Sequence, residues 1–443
     1  MKPMCCAAVH ASIGKPGKGI GSPFMVTFTA AVVLSKPTRR FPLPGRPRLR
    51  STKMKNSGGY GLSRWEHRFS GSDFALQAYF TQEKHQESFG NGTEQSLDFD
   101  FQHHLPVLKQ NDLIWGIGYR RTIDRVYGNP LPFVHATHSN IISSLFFEDD
   151  YALVPNKLVL TGGFKLQHNS FSGLEIQPGI RVLWNPDSSH SIWAALSRAV
   201  RTPSIQERDL KIGRPLVYAG PIPAEALLLG NPDFRSEVVF AYEAGYRQRI
   251  GKTVSIDAAA FVNAFSSLRN EQAVAPYVVI SPTPTLMVPF VYKNAMDACS
   301  HGLEAAVSWT PLRNLRFQSS YSWITARLTP TEGQTTVLSG SWLIPTNTLN
   351  LRGNWTFARR WNLFSSLYMV SKLEQPTDTL IPPVKHYERL DTHVSFSLLE
   401  SLQFSAGGEN LLTNRHPEFD PQDEYTVRSQ VPRSAFVKFV WSF

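Results

Sequence analysis

The sequence predicts an all-β chain, an antiparallel meander that crosses a membrane as a β-barrel. Three observations predict it. Nearly every segment from Gly58 onward alternates apolar and polar residues with period 2. Short and long connections alternate along the chain, as in outer-membrane barrels. The chain closes on SAFVKFVWSF, where Ala435, Val437, Phe439, Trp441 and Phe443 share one face. An aromatic edge of that kind invites aggregation in water, whereas lipid accommodates it.

Seventeen strands are predicted in order, at 58–69, 73–84, 94–105, 112–123, 137–151, 156–168, 173–185, 190–202, 235–248, 253–268, 288–309, 314–328, 343–357, 361–374, 385–398, 401–409 and 431–443. In the second, Phe74, Leu76, Ala78 and Phe80 line one face. In the third, Leu97, Phe99, Phe101 and Leu105 oppose Ser96, Asp98, Asp100 and Gln102. In the ninth, Val238, Phe240, Tyr242 and Tyr246 oppose Arg235, Glu237, Glu243 and Arg247. The segment 288–309 is expected to be irregular in its middle, and 361–374 alternates poorly. No amphipathic helix interrupts the series.

Tight turns are predicted at 70–72, 106–111, 152–155, 186–189, 249–252, 310–313, 358–360 and 399–400. Longer loops are expected at 85–93, 124–136, 203–234, 269–287, 329–342, 375–384 and 410–430, with 169–172 as the short exception. Tight turns belong on the periplasmic side. The final strand then ends in the periplasm and the first recognisable strand begins outside. Single-chain bacterial barrels have an even strand count. The 17 strands are therefore expected to belong to a barrel of about 22, incomplete at its amino terminus.

Composition excludes several classes. Charged residues are 18% of the chain, aromatics 12%, and no apolar run reaches the length of a membrane helix. Mean hydropathy is −0.21, as expected where only alternate residues face lipid. The net charge of +10 sits in the first 55 residues, which hold eleven Lys and Arg and no acid. The remainder carries 34 basic against 35 acidic residues, so a phosphate-binding face and a nucleic-acid partner are excluded. Cys5, Cys6 and Cys299 suggest neither a disulfide framework nor a metal spacing.

Two regions follow. Residues 1–55 are expected to be a disordered basic extension rich in Pro and Gly, and residues 56–443 the barrel. Met25 to Leu34 could be the apolar region of a secretion signal, but Val33-Leu34-Ser35 is a poor cleavage site.

Four stretches, WAALSRAVRTPSIQERDL (193–210), NPDFRSEVVFAYEAGYRQR (231–249), GLEAAVSWTP (302–311) and GENLLTNRHPEF (408–419), together with Phe443, resemble TonB-dependent outer-membrane receptors. The resemblance spans roughly residues 59–443. Its motif positions here are Arg198, Arg201, Pro203, Glu237, Glu243, Gly245, Arg247, Asn410, His416 and Phe443. It implies a Gram-negative outer-membrane receptor that takes up a scarce solute such as a ferric siderophore, a corrinoid or a glycan. The implied partners are outer-membrane lipid, the barrel-assembly machinery, a small-molecule ligand and, given a plug from elsewhere, the energy-coupling TonB protein. Nothing in residues 1–55 resembles a plug or coupling box, so energised transport by this chain alone is doubtful.

Candidate ligand-binding residues lie in the outer loops: Arg208, Lys211, Arg214 and Tyr218 in 203–234, and Trp342. Arg235, Glu237, Glu243 and Arg247, like Arg198, Arg201 and Glu207, read better as wall ion pairs than as a ligand site. The acidic group of His416, Glu418, Asp420, Asp423 and Glu424 fits no defined cation cage, and His103 and His104 read as wall residues. No cofactor, metal site or catalytic pair is expected, so an enzyme is disfavoured. The alternatives are a plug-less passive pore or surface-binding barrel, and a non-functional remnant of an interrupted gene.

Overall fold

The computed structural model describes residues 7–13, 24–35, 38–43, 46–51, 54–69, 71–87, 90–108, 110–128, 132–216, 222–280, 284–331, 344–373, 384–418 and 429–442. Each of the seventeen predicted segments is a strand of one antiparallel meander, from Met54–Arg68 through to Ser434–Trp441. Successive strands pair in order. Asp73–Glu87 lies between Met54–Arg68 and Gly90–Leu108, and Leu402–Glu409 carries Ser434–Trp441.

The register shows why the alternation matters. Leu76, Ala78 and Phe80 lie opposite Phe101, Phe99 and Leu97. Ile117 and Tyr119 continue the row opposite Phe101 and Phe99. Leu76, Phe80, Leu97, Phe99, Ile117 and Tyr119 are all exposed, which gives a wall with an apolar outer surface. The other face pairs polar groups: Arg120 Nε donates to Asp98 at 2.7 Å, and the Ser96 and Thr122 hydroxyls meet at 3.2 Å. Among the described residues no helix is long and apolar enough to cross a membrane.

Three elements differ from expectation. The loop expected at 85–93 is a tight hairpin, because Asp73–Glu87 and Gly90–Leu108 pair out to Glu87↔Gly90. Backbone pairing needs no apolar face, so the polar tip zips beyond the alternating stretch. The segment 288–309 extends to Thr285–Leu312; the irregularity expected in its middle is present, where Asn294 to Met296 meet Val254–Ala273 and the register shifts on both sides of Leu268. Ser267 there has φ 59°, outside the extended range. The third is a short helix, Ile205–Asp209, inside the loop 203–234.

Upstream, the backbone of Phe24–Ser35 pairs antiparallel with Met54–Arg68, from Phe24↔Trp65 to Ser35↔Met54, and Ala7–Ile13 pairs with Phe24–Ser35. Thr38–Leu43 and Arg46–Ser51 form a separate hairpin. Residues 24–35, FMVTFTAAVVLS, are apolar and rich in β-branched residues, which suits a strand.

Buried apolar packing gathers at the long-loop end. Leu210, Phe234 and Tyr292 form a buried cluster, flanked by Phe133, Ile212 and Leu228. These residues come from three outer segments, so the loops are packed against one another there.

Candidate functional site

The connection between His190–Arg201 and Glu237–Ile250 builds the centre of this cap. After the helix, Lys211–Leu216 pairs antiparallel with Ala224–Leu229, which runs parallel to the start of Thr285–Leu312. The helix begins at a capping box. Glu207 N–H donates to Ser204 Oγ at 3.3 Å, and Ser204 N–H donates to the Glu207 carboxylate at 2.9 Å.

Glu207 is fully buried, and its charge is answered on several sides. Arg201 donates to both of its oxygens, at 3.1 and 2.5 Å, and Ser204 Oγ donates at 3.0 Å. Arg269 Nη1 donates at 3.4 Å. Arg201 Nε also donates to Glu237 at 2.7 Å, and the Arg269 backbone N–H donates to Glu237 at 2.8 Å. Two carboxylates and two guanidiniums thus close a neutral network at the rim of the wall. Burial alone would push the Glu207 carboxyl up; the Arg201 ion pair and the Ser204 N–H outweigh it and hold the group below its ordinary range.

The network depends on the irregularity at Ser267. Asn294 Nδ2 donates to Ser267 O at 2.7 Å and to Arg235 O at 2.9 Å. Ser267 N–H donates to Asp297 at 3.1 Å. These bonds fix the bulge, and the shifted register beyond it aims Arg269 at Glu207 and over the Tyr292 ring, 5.1 Å from its centroid.

The sequence-predicted residues divide between structural and open positions. Arg208 donates to Phe171 O at 2.9 Å and stacks on the Phe171 ring at 5.2 Å, so it packs within the cap. Burial pulls its guanidinium below the ordinary arginine range, against the attraction of Asp233. Lys211 has an exposed side chain, and its N–H donates to Pro132 O at 2.9 Å. The backbone of Arg214 pairs with Ala226. Tyr218, Trp342, Asp420, Asp423, Glu424 and Phe443 lie outside the described residues.

Among the motif positions, Pro203 is buried beside the capping box, and Arg198 donates to Ile176 O. Arg247 pairs with Asp257 across adjacent strands, and Glu243 is exposed. Arg235 offers its backbone N–H to Asn294 at 2.8 Å. Gly245 lies against the Trp193 indole, where a Cβ would fall 2.4 Å from the ring. Asn410 is fully buried at φ 53°, and its Nδ2 donates to Val431 O at 3.0 Å. His416 stacks on Tyr387 at 4.4 Å and meets Glu418 at 3.1 Å; Arg389 lies 3.7 Å from that carboxylate. His104 lies between Asp73, at 2.9 Å, and Asp112, and His103 packs on Trp115 at 5.9 Å.

Sequence reading missed Ser204 and Arg269. The S-x-x-E spacing of Ser204 and Glu207 was a usable capping signal. Arg269 had none, because a bulge leaves no mark on an alternation pattern.

The chain matches the family described as TonB dependent receptor-like, beta-barrel, over residues 37–411. It belongs to that family, whose members are receptors and transporters of the Gram-negative outer membrane rather than enzymes. It is 25% identical over 284 residues to the iron-regulated outer membrane virulence protein of Vibrio cholerae, matching 62% of this chain. The match takes in only 41% of the length of that relative. Its fold is similar to the ferric enterobactin receptor PfeA of Pseudomonas aeruginosa, with TM-score 0.68, 14% identity and coverage of 98% of this chain and 80% of that one. The ferric-catecholate import receptor Fiu of Escherichia coli is similar with TM-score 0.75 and 10% identity, over 99% of this chain and 74% of that one.

Proposed function

We propose that the chain forms the wall and outer cap of an outer-membrane receptor that captures iron bound to a siderophore. The family match carries this reading, because the relatives it points to are an iron-regulated outer-membrane protein and receptors for ferric catecholates. The cap supports it: loops tied by Glu207 and Tyr292 give a preorganised surface, which lowers the entropy lost on binding. Lys211, Arg214, Tyr218 and Trp342 are the proposed contacts, with Arg208 holding the cap that presents them. Cationic side chains suit a ferric catecholate, whose net charge is negative.

Membrane lipid and the barrel-assembly machinery complete the proposed partners. Coupling to TonB enters only with a plug domain. The division at residue 55 stays a proposal supported by the charge step there, whereas the pairing of Phe24–Ser35 with Met54–Arg68 carries strand structure upstream of it.

The test is binding to the purified, folded chain in detergent, read by quenching of tryptophan fluorescence. Ferric enterobactin, a ferric hydroxamate, a corrinoid and an oligosaccharide are the probes. Saturable binding of an iron chelate, weakened in Lys211→Glu mainly through slower association, is the expected result. Binding of only the corrinoid or the oligosaccharide would overturn the iron reading. A large constitutive conductance in planar bilayers, with no binding of any probe, would establish the passive pore instead.

A further inference from the structure

Two histidines and an aspartate converge on the outer side of the cap. His135 and His138 flank the start of Thr137–Val154, and Asp209 is the last residue of the helix. His135 Nδ1 lies 2.6 Å from Asp209 Oδ1, and His138 Nε2 lies 2.8 Å from Oδ2. The three donor groups all fall within 4.8 Å of one another. The rings stand at 90° with centroids 6.4 Å apart, so their lone pairs enter the cluster from different directions.

The backbone around the cluster is fixed. Phe133 and Leu210 form a β-bridge, Val134 N–H donates to Asp209 O at 3.0 Å, and Lys211 N–H donates to Pro132 O at 2.9 Å. His135 N–H donates to Asp209 Oδ2 at 2.8 Å. The Phe133 ring sits edge-on to His138 at 5.6 Å and packs on the buried Leu210 cluster. His138 is almost buried, and its Nδ1 finds no protein partner, so the ring makes its one polar contact inside the cluster. Asp124 lies opposite His138 in the register and Glu94 opposite Asp124, which adds negative charge beside the group.

We propose that His135, His138 and Asp209 form a binding site for a divalent first-row transition ion such as Zn²⁺. Two imidazoles and one carboxylate are the donor set of open zinc and non-haem metal sites, with further positions left for water or another ligand. His135 is largely exposed, so those positions face solvent. Zinc–ligand bonds of about 2.0–2.1 Å at tetrahedral angles place neighbouring donors about 3.3 Å apart. The present separations of 2.6 and 2.8 Å therefore widen by about 0.5 to 0.7 Å, within reach of small rotations about χ1 and χ2. The competing reading is a latch in which Asp209 merely accepts hydrogen bonds from both rings. The ion would cross-link the loop before Thr137 to the helix loop 203–234.

The experiment is titration of the folded full chain in detergent with Zn²⁺ alone, followed by calorimetry, and with Co²⁺, followed by its visible absorption. One equivalent should bind, with Co²⁺ bands of a four- or five-coordinate nitrogen–oxygen site. His135→Ala and Asp209→Asn should each weaken binding by more than the about 10–100-fold that loss of an outer partner costs. His301→Ala, outside the cluster, should leave binding unchanged. Asp209→Asn risks loosening the helix end, so the exposed His135→Ala is the deciding variant, with heat-modifiable gel mobility as the folding control. Absence of stoichiometric binding, or binding that survives His135→Ala and His138→Ala alike, would establish the latch and overturn the proposal. Failure here leaves the siderophore reading untouched, since the chelate assay uses neither ion.

Discussion

At the scale of single residues, Glu207 is the group on which the cap turns. A fully buried carboxylate is tolerated only when paired and hydrogen-bonded, and Arg201 supplies the largest part of that compensation. Arg201→Ala is expected to destabilise the cap by about 3 kcal/mol, the low end for stranding a buried charge, because Arg269 and Ser204 remain. Faster cleavage within 203–234 under limited proteolysis, with the wall intact, is the readout. Acid should act on the same group. The folded Glu207 carboxyl titrates below its unfolded value of 4.5, so its stabilisation is complete above that pH and is lost as pH falls through the folded value. Protease sensitivity of the cap should therefore rise as pH falls below 4.5, and Glu207→Gln should remove that pH dependence.

The elements follow from two local rules, alternation and close packing. Gly245 leaves room for Trp193, which covers it from the neighbouring strand. Gly245→Val should displace the indole and cost about 1–3 kcal/mol, the range for overpacking, seen as loss of the folded form on unheated gels. The closing strand carries the clearest facing signal. Val437, Phe439 and Trp441 are 81%, 55% and 66% exposed on one face, and Phe439 meets Phe404 edge-on at 5.0 Å. Phe439→Arg should cost about 2–4 kcal/mol if it sits near the bilayer midplane, whereas Lys438 on the opposite face should tolerate Gln with little effect. Equal effects at the two positions would contradict the facing. Alternation reported these strands well because burial in lipid acts on every second residue. It failed at 85–93, where backbone pairing continues through polar residues out to Glu87↔Gly90, and at Ile205–Asp209, too short for any helical period to register.

For the whole molecule, the two ends differ. Tight turns such as Trp184 to His190 and Ile250 to Val254 lie at one end, and the packed cap at the other. Cysteines introduced at Asp187 and Lys211, in a background with Cys5, Cys6 and Cys299 replaced by Ser, should react with an impermeant reagent from opposite sides of the outer membrane. Labelling of both from outside would overturn the assigned orientation. The order of the seventeen strands from Met54 onward, their apolar face and the family resemblance were legible in sequence, because each is written in residues close together along the chain; the pairing of Phe24–Ser35 with Met54–Arg68 was not. The pairing of Arg201 with Glu207 fits the ion-pair reading of those residues, but the second arginine on Glu207 and the histidines on Asp209 were not legible. Arg269 lies 62 residues from Glu207, and His135 lies 74 residues from Asp209.

The sequence by itself determined the meander, the apolar face of most strands and the alternation of tight turns with longer loops along most of the chain. Period-2 burial is a local demand, repeated at every strand. Only the tertiary structure decided which loop charges meet. A bulge aims Arg269 at Glu207, and a β-bridge delivers His135 and His138 to Asp209. Such meetings depend on the path of the backbone between distant segments, where no periodicity applies.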